Sequence, residues 1–290
     1  MQRINSLEQM QETAEALRLA GKTIALVPTM GFLHEGHLEL MRVGKSHADV
    51  LVISIFVNPT QFGPAEDFEQ YPRDREGDIA KARQAGVDLV FMPDAEEMYG
   101  PGFQSSVLVH RVTQHLCGVS RPTFFAGVAT VVCKLFHLVK PHIAVFGQKD
   151  YQQLTVVSRM VTDLNMDIRI IGVPTVRDPD GLAMSSRNNY LTPEERKSAL
   201  SLSRSLDLAD EMVSGGERNP AVVKEAVEAF IVRHPYTKIE YVSLCHPVTL
   251  EELKTVEKES LLALAVWIGK TRLIDNRVLR EKKNPKGARA

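Results

Sequence analysis

Two histidines three residues apart, His34 and His37, are the first residues in this chain whose types and spacing suggest chemistry. They lie in PTMGFLHEGHLELM (28–41), after the short apolar run TIALVP and at the start of a stretch with helical periodicity. Residues three apart share a helix face, so both imidazoles would project the same way from the first turn. That turn carries unpaired backbone N–H groups and the positive end of the helix dipole, which suits phosphate. Gly31 and Gly36 allow tight turns and close approach of backbone to a ligand. Zinc is a poorer match, because a metalloprotease helix spaces its histidines by four in HExxH and needs a third ligand. With neither a Walker A sequence nor GxGxxG in the chain, a nucleotide would have to be held in another way.

Three further segments offer complementary groups. Asn58 and Gln61, in FVNPTQF, are neutral hydrogen-bonding side chains suited to a hydroxy acid and its carboxylate, although Asn58–Pro59 also reads as a simple turn. In FGQKDYQQL (146–154), Gly147 permits backbone approach to a nucleotide and Lys149 offers a mobile cation for phosphate. Asp150 can accept from ribose hydroxyls or cap the next helix, and Gln153 lies three residues further on. In AMSSRNNYL (183–191), Ser185, Ser186 and Arg187 gather hydroxyls and a guanidinium that could clamp the outer phosphates of ATP, against a plainer reading as a solvated turn. Arg121 is a candidate pocket cation and Lys134 a weaker one. Phe124, Gly127, Val128 and Val131 read as helix packing. Asp78 is the candidate ligand for Mg²⁺, against a plainer reading as a solvated helical carboxylate.

The elements that must position these residues form a rhythm. Ser6 opens a helix ended by Gly21, with Gln9 placed to complete a capping box. TIALVP, DVLVISIFV, VDLVFMP, HIAVFG and DIRIIGVP read as strands, and helical stretches separate them. Apolar runs without polar alternation suit strands covered on both faces. Alternating strands and helices predict a parallel sheet, with a ligand crevice at the strands' carboxyl ends. The expected class is α/β, a Rossmann-like doubly wound sheet. After Pro174 the pattern changes. Helices over 193–214 and 219–233 are followed by IEYVSL, LLALAVWIG and TRLID, which predict a smaller α+β domain with an antiparallel sheet. The boundary falls near 177, giving domains 1–176 and 177–290. The tail EKKNPKGARA reads as charged and mobile.

Composition sets outer limits. The 290 residues carry a formal net charge of -1, which disfavours a whole-surface nucleic-acid role. Three widely spaced cysteines argue against a disulfide framework and for a reducing compartment. The N-terminus lacks a signal-peptide apolar core, and no apolar run approaches the ~20 residues of a membrane helix. The expectation is a cytoplasmic protein with neither nucleic-acid nor membrane partners.

The HxGH pattern is similar to the signature of the nucleotidyltransferase and class I synthetase superfamily, and SSR resembles its second, mobile loop. Taken in order, PTMGFLHEGH, IFVNPTQF, FGQKDYQQ and MSSRNNYL resemble the pantothenate synthetase (pantoate–β-alanine ligase) family. The resemblance extends to YPRDREGD, FAGVATVVCKLF and the C-terminal YVSL…LLALAVWIGKTRLIDN, and so covers nearly the whole chain. It implies an ATP- and Mg²⁺-dependent ligase on the route to coenzyme A, which joins (R)-pantoate to β-alanine through a pantoyl adenylate, with release of AMP and pyrophosphate. It further implies a homodimer, an ATP- and pantoate-binding first domain, and a second domain acting as a lid. By resemblance, His34 and His37 would contact phosphates, with His37 as a proton donor. Lys149 would meet the α-phosphate, Ser185, Ser186 and Arg187 the β- and γ-phosphates, and Gly147 and Asp150 the ribose. Gln61 and Gln153 would hold pantoate, with Asn58 near the β-alanine path. Met30, Gly31, Val176 and Met184 would line the nucleotide site. The rival readings are a nucleotidyltransferase, whose phosphorylated acceptor would need extra basic residues, and a non-catalytic nucleotide sensor.

Overall fold

The computed structural model describes residues 1–63 and 67–281. The expected mobile tail therefore lies outside the described residues, apart from Glu281. Contacts divide the chain into two compact units.

The first unit, Met1–Val176 with Met184–Ser186, is built on a six-stranded sheet whose paired strands all run parallel. In chain order its elements are β1 (Gln2–Ile4), α1 (Leu7–Leu19), β2 (Ile24–Thr29), α2 (Glu35–His47), β3 (Val50–Ile55), α3 (Arg75–Gln84), β4 (Leu89–Phe91), α4 (Ala95–Met98), α5 (Cys117–Ser120), α6 (Phe124–Val139), β5 (Ile143–Gly147), α7 (Tyr151–Asp163) and β6 (Arg169–Val173). Single 3-10 turns cover Pro59–Gln61 and Gln148–Asp150, and a third covers Ser186–Tyr190. The spatial order is β1-β4-β3-β2-β5-β6. From β2 the chain winds outward to β3 and β4, then returns to place β5 on the other side of β2. The order of winding reverses between β2 and β5, so their carboxyl ends flank the crevice where such sheets bind ligands.

Local sequence explains the elements. Ile24, Ala25, Leu26 and Val27 are fully buried, as are Leu51, Val52 and Ile53, which is why these strands read as unbroken apolar runs. The side chain of Ser6 accepts from the Gln9 N–H and caps α1. On one side of the sheet Ala25, Val27, Leu51, Ile53 and Val90 pack with Leu40 and Met41 of α2 and Ile79 and Ala82 of α3. β1 was not foreseen. It is three residues long and mostly polar, and only its pairing with β4 defines it.

The second unit comprises Arg177–Ala183 and the chain from Arg187. Helices α8 (Pro193–Ser214) and α9 (Pro220–Val232) share a core with the antiparallel sheet β7-β8-β9 (Thr237–Cys245, Glu259–Ile268, Thr271–Arg280). The guanidinium of Arg177 donates to both oxygens of buried Asp275 at 2.7 and 2.9 Å, anchoring the Arg177–Ala183 hairpin to β9. Met184–Ser186 belong with the first unit for a local reason. The Met184 N–H donates to the Val176 carbonyl at 3.0 Å, and Ser186 Oγ reaches the Phe32 carbonyl at 3.5 Å.

Candidate active site

The loop after β2 is shaped by backbone contacts and two oppositely charged side chains. Thr29 Oγ1 donates to the Ser54 carbonyl at 2.7 Å and accepts from the Gly31 N–H at 3.2 Å. Gly31 has φ +81, and a Cβ there would sit 2.9 Å from Asp78 Oδ2, so glycine is required on two counts. Asp78, in the first turn of α3, is 1% exposed. Its carboxylate accepts from the Phe32 N–H at 2.8 Å and the Leu33 N–H at 2.6 Å. Burial pushes the Asp78 carboxyl up, while these two N–H groups and Lys81 pull it back. One turn further along α3, Lys81 Nζ donates to the Leu33 carbonyl at 2.8 Å.

This arrangement corrects the expectation for Asp78. It is a buried carboxylate, not a solvated one. Each of its oxygens is taken by loop backbone, and the described residues contain no group of three or more His, Cys, Asp or Glu that could hold a metal ion.

The loop delivers both histidines to the start of α2. His34 occupies the N-cap position, and the two imidazoles lie against each other, tilted by 37°, with centroids 4.1 Å apart. The Nδ1 of His37 accepts from the His34 backbone N–H at 3.3 Å. An accepting Nδ1 puts the proton of the neutral ring on Nε2. The ring is neutral because burial holds its pKa well below the usual histidine value, helped by the charges of His34, Lys149 and Lys81. His37 thus presents an Nε2–H donor in a positive environment at a helix N-terminus. Gly36 makes this close approach possible, since a Cβ there would lie 2.9 Å from His34 Cε1.

The turn after β3 is neutral. Asn58 is 1% exposed and Gln61 9%. Asn58 Oδ1 accepts from the Thr60 N–H, the Thr60 hydroxyl and the Tyr99 hydroxyl at 3.4, 2.9 and 2.7 Å. Its Nδ2 donates to Gln61 Oε1 at 3.1 Å and to the Gly127 carbonyl at 3.2 Å. With its amide engaged inside the protein, Asn58 orients Gln61. Gly127 is the point where α6 receives this turn, because a Cβ there would lie 2.4 Å from the Thr60 carbonyl oxygen. Arg121 donates to the Gln61 carbonyl at 3.1 Å and covers the Phe124 ring at 3.8 Å. It braces the turn, whereas Lys134 lies 5.0 Å over the Phe103 ring. Gln61 Nε2 reaches Met30 Sδ at 3.0 Å, joining this turn to the loop after β2.

At the end of β5, a Cβ on Gly147 would meet nothing within 4 Å, so the backbone there faces open space. Lys149 Nζ lies 4.0 Å from Asp150 Oδ1, and the Asp150 carboxylate makes no capping bond to α7. Gln153 is half-buried on α7. Its neighbour Gln152, which the sequence did not bring forward as a candidate, is the structural residue of the two. It is buried, accepts from the Cys117 N–H at 3.0 Å, and donates to the carbonyls of Val112 and His115 at 2.9 and 2.7 Å. Met30, Gly31, His34, His37, Asn58, Gln61, Asp78, Gly147, Lys149, Asp150, Gln153, Val176, Met184, Ser185 and Ser186 all belong to the first unit, and Arg187 belongs to the second. Tyr99, Thr60 and Lys81 join the site as residues not foreseen.

Comparison with known proteins places this geometry in context. Residues 2–278 match the family model described as pantoate-beta-alanine ligase. A pantothenate synthetase of Syntrophus aciditrophicus is 54% identical, covering 98% of this chain and 99% of its own. One from Desulfatibacillum aliphaticivorans is 56% identical over 96% of this chain and 99% of its own. The crystal structure of pantothenate synthetase from Thermus thermophilus superposes with TM-score 0.91 at 43% identity, covering 97% of this chain and all of that one. The pantoate-beta-alanine ligase of Francisella tularensis, complexed with beta-gamma ATP and beta-alanine, gives TM-score 0.80 at 32% identity over 96% of this chain and 97% of that one.

Proposed function

The chain belongs to the pantoate–β-alanine ligase family, and from that premise we propose that it activates (R)-pantoate as its adenylate with ATP before transferring the acyl group to β-alanine. The Francisella relative, with an ATP species and β-alanine bound, supports two of the three ligands. The observation that carries the reading is the contacting pair His34 and His37, set at a helix N-terminus beside the switch point, with a neutral Nε2–H on His37 and Lys149 near enough to contribute to its depressed pKa.

In the first half-reaction a pantoate carboxylate oxygen bonds to the α-phosphorus, and the bond from that phosphorus to the β-bridging oxygen breaks. Negative charge grows on the departing pyrophosphate, and preorganised donors aimed at such charge are the strongest single source of rate. His37 supplies an N–H there and His34 a second contact, while Lys149 neutralises charge at the α-phosphate. Ser185, Ser186 and Arg187 hold the outer phosphates. Gly147 and Asp150 meet the ribose, and Met30, Gly31, Val176 and Met184 line the nucleotide. Gln61 and Gln153 hold pantoate. Magnesium enters as part of the Mg·ATP substrate, on the phosphates. In the second half-reaction the β-alanine amine attacks the acyl carbon, AMP leaves with the former carboxylate oxygen, and the nitrogen loses a proton. The rest of the proposal is a cytoplasmic homodimer. All three cysteines are free, in keeping with a reducing compartment, and no described helix is long and apolar enough to cross a membrane.

The test is ATP–pyrophosphate exchange with pantoate and no β-alanine. Pantoate-dependent exchange is expected. Folded protein that binds ATP but gives no exchange would overturn the adenylate reading.

A further inference from the structure

The orientation of the Asn58 amide is dictated by two backbone groups of fixed polarity. The Thr60 N–H can only donate, and it lies 3.4 Å from Oδ1. The Gly127 carbonyl can only accept, and it lies 3.2 Å from Nδ2. The amide oxygen therefore faces Thr60 and its NH₂ faces Gly127. Tyr99 reinforces this orientation by donating its hydroxyl to the same oxygen at 2.7 Å. The Tyr99 ring is set by packing, with the Phe103 and Phe56 rings at 5.0 and 6.3 Å. Burial raises its phenol pKa, which keeps the hydroxyl protonated and donating.

The orientation then propagates. The second Nδ2 hydrogen of Asn58 is given to Gln61 Oε1 at 3.1 Å, so the oxygen of Gln61 is committed inward. Its NH₂ group meets the thioether of Met30 at 3.0 Å, and sulfur is a weak acceptor. Gln61 thus turns its oxygen toward Asn58 and its NH₂ group away, onto a weak acceptor. We infer that Tyr99 is a positioning residue that acts through Asn58 to fix Gln61 as a hydrogen-bond donor, so that this turn selects an acid presenting a carboxylate or hydroxyl oxygen. The inference rests on the reading that Gln61 meets pantoate.

Steady-state kinetics with pantoate and ATP varied separately tests it. Tyr99→Phe keeps the ring and removes one O–H, and one hydrogen bond is worth about 1 kcal/mol, roughly fivefold. The pantoate KM should rise by about that factor, with the ATP KM within about twofold of wild type, a split that general loosening would not produce. Asn58→Asp keeps the acceptor but places an oxygen against Gln61 Oε1 and the Gly127 carbonyl. It should raise the pantoate KM by roughly 10²-fold if it folds. An unchanged pantoate KM in Tyr99→Phe, or an equal rise in the ATP KM, would overturn the inference. Gln61→Ala separates the two levels. A raised pantoate KM there with a silent Tyr99→Phe refutes the positioning role alone, whereas an unchanged KM refutes the Gln61 reading and the inference with it.

Discussion

The loop after β2 and the turn after β3 leave adjacent strands of one sheet, yet they are held by opposite chemistries. The loop is gripped by ions. Buried Asp78 takes two of its N–H groups and Lys81 one of its carbonyls, and the imidazoles it carries sit in a positive field. The turn is held by amides and hydroxyls, through Asn58, Thr60 and Tyr99, with the Arg121 guanidinium on one backbone carbonyl. A polyanion needs donors and positive charge in a fixed frame. A small hydroxy acid needs donors and acceptors of defined polarity, where one mispaired group costs about 1–3 kcal/mol. On the proposed reading, the two ligands are sorted by the kind of scaffold at each strand end. Changes in one region should therefore move the use of one substrate only.

The largest expected effect is at the loop. His37→Ala should lower pantoate-dependent pyrophosphate exchange by about 10²-fold or more, through loss of a donor on developing charge. A rate within about twofold of wild type would remove His37 from the mechanism. Asp78→Asn should raise the ATP KM by roughly tenfold, because an amide can accept from only one of the two loop N–H groups it faces. An equal rise in the pantoate KM would break the division between the regions. Gly147→Ala is subtler. Its φ is -79 and its Cβ would meet nothing, so folding stability should be unchanged or up by about 0.4–1 kcal/mol. The ATP KM should still rise roughly threefold if the nucleotide approaches that backbone, and an unchanged ATP KM would remove Gly147 from the site.

The smallest effect concerns pH. The folded pKa of His37 lies well below its ordinary 6.5. Between those two values the unfolded chain binds a proton that the folded chain does not, so stability is full above about 6.5 and declines as pH falls below it. Thermal unfolding followed from about pH 7.5 to 5.5 should show that decline, and His37→Asn should remove part of it. His142, whose Nδ1 accepts from the Ile24 N–H at 3.0 Å and whose pKa is also lowered by burial, accounts for another part. A decline identical in wild type and His37→Asn would contradict the placement of His37.

Much of this was legible in the sequence because the signals were local. Continuous apolar runs gave the inner strands, HxxH after the first long strand gave the paired imidazoles, and Asn58 and Gln61 stood out as neutral groups at a strand end. What escaped depends on contacts between distant residues. Asp78 lies about 45 residues from the loop it holds, and a carboxylate in a charged stretch gave no sign of being buried. Tyr99 lies 41 residues from Asn58, within a segment with little periodicity. Gln152 could have been found, because Val156 and Met160 follow it at i+4 and i+8 and place it on the buried stripe of α7.

The central claim is that a carboxylate held at the β3 turn attacks a phosphate held at the β2 loop. Running the complete reaction with pantoate labelled in its carboxylate with oxygen-18 tests that bond directly. The account predicts one labelled oxygen in AMP, the other carboxylate oxygen retained in the amide product, and none in pyrophosphate. Unlabelled AMP, or label in pyrophosphate or inorganic phosphate, would contradict it.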